Sequence, residues 1–467
     1  MSHPLLTDAG ASAHPIWPVQ EETWQEIREG LPACAARFAE AQGFEPKPGR
    51  HCLLPDADGS LFGVLFGLDG RSAKRPDPFL LGKLPALLPE GAYRLATRPA
   101  DPAMATLAWL LGSYVFTRYG KKGPKPVRLV APEGIDAAEI AAVAEAVAMG
   151  RDLVNTPAND LGPDGLEGAA RRLTGKHGAE IEVIAGDDLL KHNFPMIHAV
   201  GRASATPPRL IDIRWGAPGH PRVTLVGKGV TFDTGGLNIK PDAAMLLMKK
   251  DMGGAASALA LADMVMGADL PVRLRVLVPA VENMISGASF RPGDVLKSRK
   301  GLTVEIGNTD AEGRLILADA LALADEEEPE LLVDFATLTG AARVALGPDL
   351  PPFYTEDDAL AAEIVRIGDA VNDPVWRLPL WPPYAPLLDS KIADINHISG
   401  GAFAGSITAA LFLRRFATAA RAHVHVDVYA WTPKPQPGRP EGGEVQGARL
   451  VYALLKERYA SGHGART

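Results

Sequence analysis

Chemically active side chains crowd into three glycine-rich stretches in the middle of this sequence. The stretches are VGKGVTFDTGGLNIKP (Val226 to Pro241), MKKDMGGAA (Met248 to Ala256) and GNTDAEGRLILADA (Gly307 to Ala320). Among their charged residues, four carboxylates and three cations stand out: Asp233, Asp251, Asp310, Glu312, Lys228, Lys240 and Arg314. Glycine lets a backbone approach a ligand closely, so each stretch is suited to line a binding site.

Four carboxylates in such loops indicate a metal site. Carboxylate oxygens suit hard or borderline cations, and several of them can hold two cations side by side. Two divalent cations about 3.5–4 Å apart form a recurring hydrolytic centre that shares and activates a water molecule. The two lysines would prevent an excess of negative charge. The residue types therefore favour hydrolysis assisted by two metal ions.

Each stretch also has a simpler interpretation. The glycine-rich turn could bind phosphate, but GKGVTF lacks the third glycine of the dinucleotide fingerprint, and the sequence has no GxxxxGK[ST] motif. Asp251 precedes an apolar helix and could be only its N-cap. Asp310, Glu312 and Arg314 could form a solvated edge, with the arginine pairing a carboxylate.

Strands and helices must hold these stretches in place, and the pattern alternates between the two from Ile181 onward. The predicted strands are Ile181–Ile184, Arg209–Trp215, Val223–Val226, Leu274–Val278, Thr303–Ile306, Leu331–Phe335 and Val424–Tyr429. The predicted helices include Gly254–Met266, Arg314–Asp325 and Ser406–Phe416. Such alternation is typical of an α/β sheet with helices on its faces. Open α/β sheets bind ligands at the carboxyl ends of their strands, where the three stretches begin.

The first part of the chain mixes short strands with helices. Strands are predicted at His51–Leu54, Leu61–Leu68 and Val127–Val130, and helices at Ala105–Tyr119 and Ile135–Val154. The second helix ends before Pro157, which cannot continue it. A chain of 467 residues is too long for one ordinary core. We expect an N-terminal domain of residues 1–150, a linker helix at about 135–154, and a second domain of residues 151–467.

The bulk composition excludes several classes of protein. The formal net charge of −8 disfavours non-specific binding to nucleic acid or to an anionic membrane. The two cysteines, Cys34 and Cys52, are too few for a disulfide framework and indicate a reduced intracellular protein. The segment from Met1 to Gln20 has no basic start and no apolar run, and no stretch is long enough to span a membrane. We expect a cytoplasmic location.

At this point the sequence resembles a known family, the leucyl aminopeptidases (cytosol aminopeptidases) of the two-metal M17 type. The segments that carry the resemblance, besides VGKGVTFDTGG and MKKDMGGAA, are DLVNTPAN (Asp152 to Asn159), NTDAEGRLILADAL (Asn308 to Leu321), DFATLTGA (Asp334 to Ala341) and, more weakly, SITAALFL (Ser406 to Leu413). The resemblance implies a small N-terminal α/β domain and a larger C-terminal catalytic domain with a central mixed sheet flanked by helices.

The resemblance also implies a role for each residue of the three stretches. Asp233 and Glu312 would bridge two metals, Lys228 and Asp251 would complete one metal site, and Asp310 would complete the other. Lys240 and Arg314 would be the catalytic pair. Lys240 would polarise the scissile carbonyl, and Arg314 would hold a bicarbonate ion that serves as general base. Four residues would line the substrate cleft: Met248, Thr337, Leu338 and Gly340.

The implied activity is removal of the N-terminal residue from peptides by a water that two metal ions activate. Manganese or zinc are the expected ions, with magnesium or cobalt as alternatives. The expected partners are peptides with a free N-terminus and other copies of the chain, as a homohexamer. The residues alone leave open that Thr337, Leu338, Gly340 and Met248 are ordinary core residues at a strand end.

The sequence departs from the family pattern at its last core strand. Members often carry small residues there, as in DIAGTAW, whereas this chain reads HVHVDVYAW from His423 to Trp431. Tyr429 and Trp431 put bulk where small residues are usual, which predicts a narrower substrate pocket. His423, His425 and Asp427 alternate and would share one strand face. They suit a further metal site or, as we favour, buried structural histidines.

Other functions remain to be weighed at this stage. Some relatives act at DNA, so DNA binding is one alternative, although no recognition motif is visible and the charge is acidic. A metal-bound scaffold without activity is another, disfavoured because every proposed ligand and both catalytic residues are present. A different metallohydrolase, such as an amidase or a dipeptidase, is a third.

Overall fold

The computed structural model describes residues 3–7, 12–120 and 123–460 of the chain. Part of the segment from Met1 to Gln20, where no secretory signal is expected, lies outside the described residues. Contacts between Cα atoms divide the chain into two units, Met1–Ala148 with Lys434–Glu441, and Met149–Pro433 with Gly442–Thr467. The first unit therefore contains a segment that the chain reaches only after most of the second.

The first unit is an α/β structure. Its strands are β1 (Leu6–Thr7), β2 (His14–Val19), β3 (His51–Pro55), β4 (Leu61–Gly67), β5 (Gly91–Leu95) and β6 (Val127–Val130). Its helices are α1 (Trp24–Gly30), α2 (Ala33–Ala41), α3 (Leu84–Leu87) and α4 (Pro102–Gly112), and α5 (Ala137–Asn155) continues into the second unit. The strands pair in the order β1-β6-β5-β2-β4-β3, with β3 antiparallel to β4 and the other pairs parallel.

Helix α4 differs from its prediction at both ends. It begins at Pro102, because the Asp101 carboxylate caps it by accepting from the Met104 N–H, and it ends at Gly112 rather than Tyr119. A Cβ on Gly112 would lie 1.9 Å from the carbonyl oxygen of Gly82, so the chain approaches another backbone there. The apolar pattern that runs on past Gly112 cannot show such a contact.

The second unit holds the remaining elements. Its strands are β7 (Glu180–Ala185), β8 (Arg209–Trp215), β9 (Arg222–Gly227), β10 (Gly229–Asp233), β11 (Arg273–Asn283), β12 (Val295–Lys297), β13 (Thr303–Glu305), β14 (Leu331–Ala336), β15 (Pro352–Tyr354), β16 (Trp376–Arg377), β17 (Ile395–Asn396), β18 (His423–Asp427), β19 (Trp431–Thr432) and β20 (Gly442–Gly443). Its helices are α6 (Pro163–His177), α7 (Asp188–Lys191), α8 (Pro195–Gly201), α9 (Asp242–Met245), α10 (Gly253–Gly267), α11 (Gly313–Asp325), α12 (Gly340–Leu346), α13 (Asp358–Ala370), α14 (Gly405–Arg414) and α15 (Ala448–Leu455).

A mixed sheet forms the centre of the second unit, as expected. Its strands run in the order β16-β15-β18-β14-β9-β11-β8-β7, and β10 pairs in parallel with β11. The neighbours β18, β14, β9 and β11 are parallel to one another, whereas β8 is antiparallel to β11. The parallel strands therefore end at one edge of the sheet.

Two groups of helices cover this sheet. Helix α10 packs on β9 and β14 and also contacts α6 and α15. Helix α11 packs on β9 and β11 and also contacts α8 and α14. Strand β14 is buried at every position, as expected for a strand covered on both faces. Among the described residues, no helix is long and apolar enough to cross a membrane.

Two differences from the predicted strands affect the site. The stretch predicted as one loop after Val226 contains β10, because the β-branched and aromatic residues of GVTFD suit a strand despite the flanking glycines. Strand β18 ends at Asp427 rather than Tyr429, since Ala430 adopts a left-handed backbone with φ of 57°. Tyr429 and Trp431 consequently lie outside this strand.

Candidate metal and substrate site

The carboxyl ends of the parallel strands gather the candidate residues. Lys228 follows β9, Asp233 ends β10, Thr337 follows β14 and Asp427 ends β18. Asp251 lies in a 3-10 turn, Met248–Met252, that leads into α10. Asp310 lies in a second such turn, Thr309–Ala311. Glu312 is the N-cap of α11 and Arg314 lies in its first turn, so these three residues reach the site from the side of α11.

Lys228 is buried among acidic and carbonyl oxygens. Its ammonium nitrogen lies 2.8 Å from Asp251 Oδ2 and 3.0 Å from Glu312 Oε1, and it donates to the Thr337 carbonyl at 2.9 Å. Burial alone would lower the pKa of Lys228, but the carboxylates of Asp251, Glu312 and Asp233 raise it above its ordinary value. Surrounded by these carboxylates, the Lys228 side chain stays protonated at neutral pH.

Lys240 makes the corresponding contacts on the other side. Its ammonium nitrogen lies 2.8 Å from Asp233 Oδ2 and 2.5 Å from Asp310 Oδ1. Burial opposes the charged form, yet Asp233 and Glu312 raise the pKa of Lys240 above its ordinary value. The two lysines thus divide the carboxylates between them, Asp251 and Glu312 with one, Asp233 and Asp310 with the other.

The carboxylates fit a bound cation. Ligand oxygens of Asp233, Asp310 and Glu312 all lie within 4.8 Å of one another. Both Glu312 oxygens, Asp251 Oδ2 and Asp310 Oδ1 are buried and have no hydrogen-bond partner, although a lysine ammonium group lies within 3.0 Å of three of these four atoms. Buried carboxylate oxygens without donors are costly, and divalent cations would satisfy them.

Burial and mutual repulsion disturb the acids of this cluster. Burial raises the pKa of Glu312 well above its ordinary value, and the neighbouring carboxylate of Asp233 adds to the effect. Burial, followed by Asp251, likewise raises the pKa of Asp233. Four carboxylates face two ammonium groups, so the cluster is short of positive charge, which two divalent cations would supply.

Backbone and amide donors orient the ligand oxygens. Asp233 Oδ1 accepts from the Gly235 N–H and from Asn283 Nδ2, each at 2.8 Å. Thr337 Oγ1 donates to Asp251 Oδ1 at 2.7 Å. Because one oxygen of each carboxylate is held in this way, the other oxygen is directed toward the lysines and the space between them.

Glycine is required where Lys228 crosses α11. A Cβ on Gly313 would lie 2.5 Å from Lys228 Cε and 2.7 Å from its Nζ. Any larger residue would push the ammonium group away from Asp251 and Glu312. The glycine that separates Glu312 from Arg314 therefore makes room for the neighbouring lysine.

Arg314 is buried at the start of α11. Its Nη1 donates to the His397 carbonyl at 2.7 Å, whereas its buried Nε has no hydrogen-bond partner. Burial lowers the pKa of Arg314 to about 10 and, together with the charge of Arg314, lowers the pKa of His397 to about 3. Arg314 thus stays cationic at neutral pH, with one donor available to an anion.

The expected cleft residues come together beside the cluster. A cavity of about 520 Å³ is lined by Met248, Thr337, Leu338 and Gly340, along with the lysines and acids described above. Asp427 supports this wall: its carboxylate accepts from the Leu338 N–H at 3.0 Å and from the hydroxyl of Thr339 at 2.6 Å. These residues therefore face the cavity, although Leu338 also packs against the hydrophobic core.

Three residues that the sequence did not connect form another part of this cavity: Lys250, Arg343 and Tyr429. Lys250 Nζ lies 4.4 Å and Arg343 Cζ lies 5.3 Å from the centroid of the Tyr429 ring. Burial lowers the pKa of Lys250 to about 8. Trp431 instead lies 5.5 Å from Lys249 Nζ. The bulk at Tyr429 thus reaches the cavity.

The alternating histidines form a structural network. His423 Nε2 lies 2.7 Å from Asp334 Oδ2, and His425 Nδ1 lies 2.6 Å from Asp334 Oδ1. Asp427 is not part of this group and points instead to Leu338. This is the arrangement of buried structural histidines, with a shared carboxylate as their partner.

Asn283 is a supporting residue that sequence reasoning missed. Its amide nitrogen joins Asp233 Oδ1 to the Thr309 carbonyl, at 2.8 and 3.0 Å, and so links β10 to the turn that carries Asp310. The sequence feature that could have indicated Asn283 is its position as the last residue of β11, after a long apolar run. Lys250 had no such signal, because MKKDM does not show which lysine is buried.

A cluster of carboxylates and lysines at the carboxyl edge of an α/β sheet is typical of one class of protein, the metal-assisted hydrolases. Residues 148–452 match the cytosol aminopeptidase family, catalytic domain, and residues 14–132 match the M17 aminopeptidase, N-terminal domain. The chain belongs to the cytosol aminopeptidase family. The expected family and fold class are thereby confirmed, and membership assigns the chain to the peptide hydrolases.

Three relatives illustrate the match. A probable cytosol aminopeptidase of Roseiflexus castenholzii is 41% identical over 428 residues, which is 84% of this chain and 86% of the relative. The crystal structure of a cytosol aminopeptidase from Coxiella burnetii is 44% identical, with a TM-score of 0.92 over 97% of this chain and 99% of its own. A bottromycin maturation enzyme, solved in complex with Mn, is 33% identical, with a TM-score of 0.86 over 96% of this chain and 100% of its own.

Proposed function

We propose that this protein removes the N-terminal residue from peptides and needs two divalent cations to do so. One observation carries the proposal: three buried carboxylates and the half-buried carboxylate of Asp310 meet at one sheet edge, and several of their oxygens have no hydrogen-bond partner. Asp233 and Glu312 would hold both cations, with Asp251, Lys228 and Asp310 completing the set. Manganese is the first candidate, since a solved relative binds it, with zinc, magnesium and cobalt as alternatives.

The cations, when bound, would activate a water molecule toward the scissile carbonyl. Lys240 would donate a charged hydrogen bond to the carbonyl oxygen as negative charge develops there. Arg314 would hold an anion such as bicarbonate through its unpartnered Nε, and that anion would accept a proton from the water. The free amine of the peptide would bind within the same cluster, which would limit cleavage to N-termini.

The cavity beside the cluster would hold the substrate. Met248 would border the side chain of the first residue, and Thr337, Leu338 and Gly340 would line the path of the peptide. We further propose a cytoplasmic location, in keeping with the names of the relatives. DNA binding or a scaffold role has no support from the comparisons.

Removal and replacement of metal tests the proposal. A chelator should abolish release of leucine from a leucyl peptide, and added manganese or zinc should restore it. Asp251→Ala and Glu312→Ala should lose metal, measured by elemental analysis, together with activity. Asp263→Ala offers a control, because this buried aspartate binds Lys176 and His177 away from the cluster. Full activity in metal-stripped protein would refute the proposal.

A further inference from the structure

A buried lysine faces the substrate cavity without an acidic partner. Lys250 is only 5% exposed, yet it lines the cavity. Among the described residues, no carboxylate lies within ion-pair distance of its ammonium group, which lies 4.4 Å from the centre of the Tyr429 ring, while the charges of Asp251 and Asp427 act on it from farther away. A buried cation that makes no direct ion pair is costly, so the site favours an incoming anion.

A second cation approaches the same ring. Arg343, on α12, lies with Cζ 5.3 Å from the Tyr429 centroid and donates from Nη1 to the tyrosine oxygen at 3.4 Å. It too lines the cavity and has no carboxylate within ion-pair distance among the described residues. Lys250 and Arg343 therefore place two unpaired positive charges around one ring.

The acids of the cavity form their close contacts with other groups rather than with this wall. The carboxylate of Asp427 is occupied by the backbone N–H groups of Leu338 and Thr339 and by the Thr339 hydroxyl. Asp251 is occupied by Thr337 and Lys228. The remaining acids of the cavity, Asp233 and Asp310, contact Lys240. The wall of Lys250, Arg343 and Tyr429 is consequently open to a negative charge from a ligand.

We propose that this wall binds the side-chain carboxylate of the first residue of a peptide, so that the enzyme prefers peptides that begin with glutamate or aspartate. The inference rests on the proposed aminopeptidase function. It concerns the first residue because Lys250 directly precedes Asp251, and neighbouring Cα atoms are about 3.8 Å apart. A peptide held at its amine by the carboxylate cluster would present its first side chain to this wall.

Charge, more than shape, would produce the selectivity. Glutamine matches glutamate in size but cannot form an ion pair, and its amide would leave the Lys250 ammonium group without a counter-charge. Leucine would bury a hydrocarbon beside that group. Lysine would add a third positive charge. The order expected for the first residue is glutamate and aspartate, then glutamine and leucine, with lysine last.

The test compares kcat/KM for full-length, manganese-loaded protein on peptides that differ only in the first residue. Wild-type protein should favour glutamate over glutamine by at least about tenfold, the size expected for a charge-assisted contact. Lys250→Met, which keeps the volume of the side chain, should reduce that ratio about tenfold or more. Arg343→Gln alters an exposed residue and should reduce the ratio about threefold.

Lys249→Met is the matched control, because Lys249 donates to the Asn155 carbonyl and lies beside Trp431 rather than facing the cavity. It removes the same charge one residue away and should leave the glutamate-to-glutamine ratio unchanged. A second peptide series carries glutamate or glutamine at the second residue, where no preference is expected.

Four results would overturn the inference. They are equal kcat/KM for glutamate and glutamine in wild-type protein, an unchanged ratio in Lys250→Met, a ratio that falls as far in Lys249→Met, and a preference found only at the second residue. Each of these would leave the proposed aminopeptidase function standing. Absence of cleavage for every peptide in the series, with metal bound, would instead refute that function and the inference with it.

Discussion

Lys228 and Lys240 carry the same charge in different surroundings. Lys228 contacts Asp251, Glu312 and a backbone carbonyl, whereas Lys240 contacts Asp233 and Asp310 at the side of the cavity. A lysine can bind a metal only as the neutral amine, since the ammonium form has no lone pair. Lys228, the more enclosed of the two, would give up its proton to a metal, and Lys240 would remain charged.

Replacing each lysine by alanine should therefore have different consequences. Lys228→Ala should weaken one metal site, so that excess metal partly restores activity. Lys240→Ala should keep both metals and lose turnover by about 3–4 kcal/mol in activation free energy, as for a lost oxyanion donor. Metal content by elemental analysis, measured beside kcat, separates the two. Loss of a metal in Lys240→Ala alone would mean that the roles are reversed.

Tyr429 supplies the bulk that the sequence placed near the pocket. Its ring lines the cavity between Lys250 and Arg343. Tyr429→Ala should broaden the accepted first residues toward large apolar side chains, because the cavity gains the volume of a phenol ring. A panel of peptides beginning with alanine, leucine, phenylalanine and tryptophan measures this. An unchanged preference profile would show that Tyr429 does not limit the pocket.

At the scale of elements, the start of α11 depends on Gly313, a residue without a side chain. Gly313→Ala would place a Cβ 2.5 Å from Lys228 Cε. The lysine must then shift away from Asp251 and Glu312, and we expect weaker metal binding in equilibrium dialysis. Gly175→Ala, in α6, is the control, because a Cβ there meets nothing within 4 Å. Equal metal affinity in both variants would contradict the tight fit around Lys228.

Strands β14 and β18 are joined by charged side chains as well as by backbone hydrogen bonds. Burial alone would raise the pKa of Asp334, but His425 and His423 lower it to about 2. Burial alone would lower the pKa of His425, but Asp334 raises it above its ordinary value. Breaking a buried pair of this kind costs about 3–5 kcal/mol.

The direction of each pKa shift sets the pH range over which the contact between Asp334 and His425 stabilises the fold. The Asp334 carboxylate stabilises the fold fully above about pH 4, which is the pKa of an aspartate in the unfolded chain. This stabilisation decreases as the pH falls toward about 2, the pKa of Asp334 in the folded protein. His425 stabilises the fold below about pH 6.5 and less as pH rises through its folded pKa. The melting temperature of Asp334→Asn should therefore fall furthest below that of wild type between about pH 4 and 6.5.

Melting curves from pH 4 to 9 test this expectation. Asp212→Asn is the control, because Asp212 is a buried acid of the same sheet whose partners, Arg275 and Arg214, are arginines rather than histidines. The deficit of Asp334→Asn should shrink toward pH 9, while that of Asp212→Asn should not. Parallel pH profiles for the two variants would remove His425 as the cause.

Long, regular elements could be predicted from the sequence, and local contacts could not. Strand β8 matches its prediction at both ends, and α11 within one residue, because apolar periodicity runs through each of them. Strand β10 was missed, since the glycines around it are typical of a loop. The family motifs indicated the carboxylates and lysines that lie together here. They could not indicate Asn283 or Lys250, whose importance depends on burial and on neighbours distant in the chain.

For the whole molecule, we predict a homohexamer, which family resemblance suggests. Several large apolar side chains near the cleft or in its loops are strongly exposed: Leu246 at 86%, Val344 at 82% and Phe403 at 89%. Burying side chains of this kind in an interface between copies would stabilise an assembly. Light scattering should give six times the chain mass of 49.4 kDa. A monomeric mass would contradict the hexamer and leave the chemistry unaffected.

The first unit contains residues 434–441, which has a consequence for biosynthesis. A Cβ added to Gly82 would lie 2.6 Å from the backbone nitrogen of Gly438. The guanidinium carbon of Arg439 lies 6.0 Å from the centre of the Phe79 ring, so residues 434–441 fill part of the first unit. A ribosome adds about 5–20 residues per second. Synthesis of residues 149–433 therefore takes on the order of 15–60 s, and residues 434–441 are made only after that. The N-terminal unit, although made first, must wait for nearly the whole polypeptide before it can be completed.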